Sequence, residues 1–206
     1  MTTEIELRAL LSATGADRLL KSIEQTSSFR TEFRWFVDVS QPVGSISDRE
    51  IDVRLRVTNG KVELAIKRGK FGGATRQEAI LPIANGEIYN ALLGLNLMGF
   101  STGTFGARRI QRYCDGSIEI SIHQVLLAAD PSKIASHFVE FEVTAPFGTE
   151  VEQIGRLTEQ MQGFGLVPMT AREWTGYAEQ INKEWDGIYV FGETDLSSFE
   201  QIGAQN

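Results

Sequence analysis

Glu4-Ile5-Glu6-Leu7-Arg8 (EIELR) near the start of the chain and Val139-Glu140-Phe141-Glu142-Val143 (VEFEV) two-thirds of the way along decide how this sequence is read. A strand turns successive side chains to opposite faces, so each stretch, as a strand, sets two carboxylates on one side and apolar residues on the other. The same division runs through the chain. Apolar faces collect Val53, Leu55 and Val57; Val62, Leu64 and Ile66; Ile118, Ile120 and Ile122. The opposite faces carry Asp52, Arg54 and Arg56; Glu63 and Lys67; Arg76 and Glu78; Glu119 and His123.

Period-2 alternation broken by turn residues predicts eight strands, near 3–9, 31–39, 49–58, 61–68, 75–82, 106–113, 117–126 and 137–144. Asn59-Gly60 and Asp115-Gly116 are hairpin signals, so their flanking strands are expected to be antiparallel neighbours. Helical spacing predicts helices over 14–25, behind a cap at Ser12 or Thr14, and over 86–97, 149–162 and 171–185. The final twenty residues, rich in Gly, Ser, Glu and Gln, read as a weakly specified tail. The expected organisation is one domain over 1–190 and a tail over 191–206.

Bulk properties narrow the function. With 206 residues the chain can bury a sizeable core. Its net charge of −7 argues against a broad nucleic-acid surface, while leaving room for a local basic pocket. One cysteine, Cys114, and two histidines, His123 and His137, supply no zinc spacing, so a metal would be held mainly by oxygen. No apolar run is long enough to cross a membrane and no signal peptide is evident, and a cytoplasmic location is expected.

A sheet with one face on the core and one in water would explain the alternation. Like charges in consecutive same-face positions, such as Arg54 with Arg56 and Glu140 with Glu142, point elsewhere, because they repel unless countered across the sheet. Eight antiparallel strands can close a barrel, and helices packed outside would leave the charged faces lining a tunnel. Arginine and lysine in such a lumen suit several phosphates, and carboxylates suit Mg²⁺ or Mn²⁺.

These residues resemble the CYTH domains, or triphosphate tunnel metalloenzymes. EIELR resembles the family's opening Glu-x-Glu-x-Lys strand, with Arg8 for the lysine. WFVDV, RLR (Arg54 and Arg56), AIKRG (Lys67), RQE (Arg76 and Glu78), ARRIQRY and HFVEFEV follow in family order, over roughly residues 3–190. The resemblance implies an α+β fold, an eight-stranded closed antiparallel barrel with helices outside. It implies that Glu4, Glu6, Glu119, Glu140 and Glu142 serve one or two divalent metals, Mg²⁺ or Mn²⁺. Arg8, Arg54, Arg56, Lys67, Arg76, Arg109 and Arg112 would bind a triphosphate, with Glu4, Glu6 and His123 as catalytic groups. Departures are Ile80 where the family's fifth strand ends in Glu, and His123 where its seventh carries Asp.

The expected function is metal-dependent hydrolysis of a triphosphate: inorganic tripolyphosphate, a nucleoside triphosphate or another organic triphosphate. Two rivals stand beside it, closure of ATP to cyclic AMP and non-catalytic capture of polyphosphate or nucleotide. The expected partner is a small molecule, with no membrane and no nucleic acid beyond an RNA 5′-triphosphate end; oligomeric state is left open. Trp174, Tyr177 and Trp185 are read as packing, Lys70 as a solvated loop charge and Cys114 as inert.

Overall fold

A computed structural model describes residues 2–24, 29–40 and 46–197. Eight strands form in chain order: β1 (Thr2–Leu11), β2 (Phe29–Ser40), β3 (Ile51–Thr58), β4 (Lys61–Arg68), β5 (Thr75–Ile83), β6 (Thr102–Asp115), β7 (Ile118–Leu127) and β8 (Asp130–Pro146). They pair antiparallel in the order β2-β3-β4-β5-β1-β8-β7-β6, and β2 closes the ring against β6 from Phe29↔Tyr113 to Ser40↔Thr102. The expected closed barrel is therefore the fold found. Both hairpin signals hold, through different turns. Asn59 and Gly60 have φ of 48° and 78°, as a type I′ turn needs. At the second, Asp115 pairs with Ile118, so the loop is Gly116-Ser117, and only Gly116 (φ 61°) takes the left-handed conformation.

Four helices lie in the expected places: α1 (Ala13–Glu24), α2 (Ile88–Leu97), α3 (Glu150–Gly163) and α4 (Ala171–Glu184). Ser12 caps α1, its Oγ accepting from the Gly15 backbone N–H at 3.0 Å. Thr170 and Glu173 form a reciprocal capping box on α4, an S/T-x-x-E signature present in the sequence. Residue 25 of the first expected helix lies outside the described residues.

The outer face of the barrel is the apolar one. Ile5, Leu7, Ile120, Ile122, Val139 and Phe141 pack beneath α1 and α3, with Leu19, Ile23, Leu157 and Met161. Trp35, Val37, Leu55 and Val57 pack with Leu92 and Leu95 of α2. The alternative of a water-facing charged sheet is thus overturned, since helices cover the apolar exterior and the charges point inward.

One expectation is corrected. Gly187–Val190, inside the stretch read as tail, forms β9, pairing with Thr102–Phe105 of β6 and burying Tyr189. Four residues are too few to declare a period. Phe191 and Leu196 also pack against the α2 side of the core, and 198–206 lie outside the described residues. Among the described residues no helix is long and apolar enough to cross a membrane.

Candidate functional site

Parity sends Glu4, Glu6 and Arg8 of β1, Arg54 and Arg56 of β3, Lys67 of β4, Arg76 and Glu78 of β5, and Glu140 and Glu142 of β8 into one cavity of about 600 Å³. Trp174, Ala178, Ile181 and Asn182 of α4 line part of its wall. Ten basic and ten acidic residues line it, so most of its charges can be neutralised from within.

Three carboxylates meet. Oxygens of Glu4, Glu6 and Glu142 lie within 4.8 Å of one another, brought together by the β1–β8 register that sets Glu6 opposite Glu142. Lys67 Nζ donates to Glu4 Oε1 at 2.8 Å and stands 3.5 Å from Glu6 Oε2. Glu4 Oε2 is buried with no hydrogen-bond partner. Burial pushes the Glu4 carboxyl up to about 8; Lys67 opposes this, while Glu6, Glu142 and Glu78 reinforce it. Burial likewise raises Glu142. Burial also acts to raise Glu6, but Arg8 and Lys67 outweigh it and hold that group below the usual carboxylate range.

The other two carboxylates expected at a metal stand apart. Glu140 accepts from Arg8 Nε at 2.8 Å, and its second oxygen lies 3.0 Å from His123 Nε2. Burial would raise Glu140, but His123 and Arg8 hold it well below the usual range. Glu119 is engaged by Arg112. His123 is buried and stacks on Phe138 with ring centroids 4.4 Å apart. Burial pushes its pKa down against the pull of Glu140, which favours the neutral imidazole.

The cations expected at phosphate are mostly held by carboxylates. Arg8 reaches Glu6 as well as Glu140, and its guanidinium lies 4.4 Å from the Trp174 ring centroid. Arg56 contacts Glu63 and Glu78. Arg112 Nε donates to Glu32 at 3.1 Å. Arg54 and Arg76 converge with Arg49 on Asp52, whose carboxylate accepts from Arg76 Nη1 at 2.7 Å. Arg54 is also 3.2 Å from Asp38.

Arg109 does not belong to the site. It is exposed on the outer face and donates to Gln124 Oε1 at 3.2 Å. Arg109 and Arg112 are three apart, and a regular strand cannot turn both inward. Arg108, in register with Arg112, takes the inward place and binds both oxygens of Asp186 at 3.1 and 3.2 Å. Also absent from the sequence reading were Arg30, Glu32 and Arg34 of β2. The buried Trp35, Val37 and Val39 already marked the opposite parity as inward. Asp186, in a loop after α4, carries no periodic signal.

Trp174, Tyr177 and Trp185 pack as expected, in a cluster with Val125, Phe138 and Ile181. Ile80 lines the cavity where the family carries a carboxylate. Lys70 is exposed, as is Cys114.

No family model and no curated protein matches the sequence. Solved structures do match. The PH1819 protein of Pyrococcus horikoshii OT3 superposes with a TM-score of 0.69 at 18% identity, over 86% of this chain and 99% of that one. A candidate adenylate cyclase of Vibrio parahaemolyticus gives 0.61 at 17%, over 82% and 91%. A chain of the Schizosaccharomyces pombe Mediator head module gives 0.57 at 11%, over 81% and 100%. These likenesses establish the fold, that of a CYTH-type tunnel barrel.

Proposed function

We propose that this tunnel hydrolyses a phosphoanhydride bond of a triphosphate, with one divalent cation held by Glu4, Glu6 and Glu142. The observation that carries the reading is the inverted barrel itself, which encloses a three-carboxylate cluster together with inward-pointing guanidinium groups. Burying so many charges costs stability, and a ligand of matching charge is the economical reason to keep them.

The cluster fits an oxygen-preferring ion such as Mg²⁺ or Mn²⁺, because its donors are all carboxylates and Glu4 Oε2 is buried without a partner. Such an ion, when bound, supplies Lewis-acid stabilisation of charge on a phosphoryl oxygen. Lys67, Arg54, Arg56 and Arg112 bind and orient the phosphates. Glu140, kept ionised by Arg8 and His123, is placed to position Arg8 and not to hold metal. A carboxylate of Glu4 or Glu6 orients the attacking water.

The Vibrio protein's description brings closure of ATP to cyclic AMP as a second reading. It needs a surface for adenine, and Trp174 is already packed by Arg8 at 4.4 Å and by Phe138 at 5.1 Å. Hydrolysis is preferred for that reason. A phosphate-release screen over tripolyphosphate, ATP, GTP and thiamine triphosphate, each with Mg²⁺ and Mn²⁺, tests it. Orthophosphate from one of them is expected. Cyclic nucleotide with pyrophosphate supports the cyclase, and tight binding without turnover supports a capture module.

Metal binding has a pH signature. In metal-free protein Glu4 takes up a proton with a pKa of about 8, against 4.5 for the ordinary side chain. Its contribution to stability is complete below the lower value and is lost as pH rises through the upper one. One such proton gives a slope of up to about 1.4 kcal/mol per pH unit, roughly 3–5 °C in Tm. The Tm in EDTA is therefore expected to fall between pH 6 and pH 9 on this order-of-magnitude slope, and Mn²⁺ to raise it more at the alkaline end. A Mn²⁺ shift that shrinks with rising pH would reject the assignment.

A further inference from the structure

Arg34 differs from the other buried cations of the tunnel. Each of those has a carboxylate oxygen within 3.2 Å. The nearest carboxylate to Arg34 is Glu32, at 3.8 Å. Glu32 is already committed, since Arg30 Nε lies 2.8 Å and Arg112 Nε 3.1 Å from its two oxygens. Arg34 Nε donates instead to the neutral Thr58 Oγ1 at 2.9 Å. Its side chain is only 18% exposed, so water does not make up the deficit. Burial, then the neighbouring Arg56 and Arg112, depress its pKa to about 10, the mark of a cation held among cations.

A guanidinium in that position is short of one anion, and its planar fork matches two oxygens of a phosphoryl group. Its strand, β2, stands four places from β1 around the eight-strand ring, on the wall facing Glu4 and Glu6. A phosphoryl group at Arg34 and one at the acidic cluster therefore occupy separate positions.

We infer that Arg34, with Arg56 and Arg112, forms a phosphoryl subsite on the wall opposite the carboxylate cluster, and that this subsite selects chains of three phosphoryl groups over two. The assignment rests on the function proposed above. Its experiment is titration calorimetry of the full chain with Mg²⁺ and the hydrolysis-resistant imido analogues of tripolyphosphate and pyrophosphate, with orthophosphate as a third ligand.

Wild-type protein is expected to bind the three-phosphate analogue at least about tenfold tighter than the two-phosphate one. Arg34→Gln should weaken the longer analogue about tenfold or more and change the shorter one by less than about threefold, and Arg34→Lys should recover part of the loss. Because the substitution removes a cation from among cations, the Tm of ligand-free Arg34→Gln should equal or exceed that of wild type. Equal affinity of Arg34→Gln and wild type for the longer analogue overturns the assignment. So does parallel weakening of both analogues, or a lowered Tm with general loss of binding. A wild-type chain that binds none of the three ligands overturns the proposed function, and this subsite with it.

Discussion

Glu6→Gln is expected to reduce triphosphate turnover about a thousandfold, equivalent to roughly 4 kcal/mol of transition-state stabilisation. Glu6 is 2% exposed and lies at the crossing of two sets of contacts. It belongs to the carboxylate cluster with Glu4 and Glu142, and it also holds Arg8 and faces Lys67. Those two cations keep it ionised against burial, so it is the member of the cluster that offers a full charge without first releasing a proton. The amide keeps the shape and removes the charge. Weakened Mn²⁺ binding, read by electron paramagnetic resonance, should accompany the kinetic loss, while Glu159→Gln on the exposed side of α3 changes neither. Turnover within tenfold of wild type would place the chemistry elsewhere.

Asp52→Ala is expected to be the most destabilising substitution in the tunnel. Its side chain is 1% exposed and receives Arg49 at 3.3 Å, Arg54 at 3.3 Å and Arg76 at 2.7 Å. Against the effect of burial, Arg54 and Arg76 hold its carboxyl down to about 2. Removing it leaves Arg76, itself 3% exposed, as a buried cation without its counter-charge. Loss of one partner of such a pair costs about 3–5 kcal/mol, roughly 10 °C in Tm for a chain of this size. Asp52→Asn, which keeps an acceptor, should lose less. The depressed pKa adds that the Asp52 contribution is present above the ordinary value of 3.8 and disappears as pH falls through about 2. A Tm for Asp52→Ala within about 2 °C of wild type would show that the three arginines find other partners.

The barrel was legible because its two faces differ in kind. Ile5 and Leu7 against Glu4 and Glu6, or Val53 and Leu55 against Asp52 and Arg54, leave one parity to the core and the other to the lumen. Which parity faces inward depends on where the helices pack, and alternation alone does not contain that. Arg109 was misplaced because adjacent arginines on β6 mask the parity that Arg112 defines. The expected five-carboxylate metal set narrowed to a cluster of three for another reason. Ion pairing is decided across strands, and Arg8 and Arg112 engage Glu140 and Glu119 through registers that no single strand displays.

The ring closure also bears on how the protein is made. β1 pairs with β5 only at Glu4↔Arg76 and Ile5↔Thr75, whereas it pairs with β8 along its whole length, from Thr2↔Pro146 to Leu11↔His137. The strand that emerges first from the ribosome thus waits for nearly three-quarters of the chain before its main partner exists. Pairing over such sequence separation makes assembly slow, because loop-closure entropy must be met before the contacts form. Until then the apolar edge of Ile5 and Leu7 is open to other strands, and a nascent chain stalled before β8 is the form most exposed to aggregation.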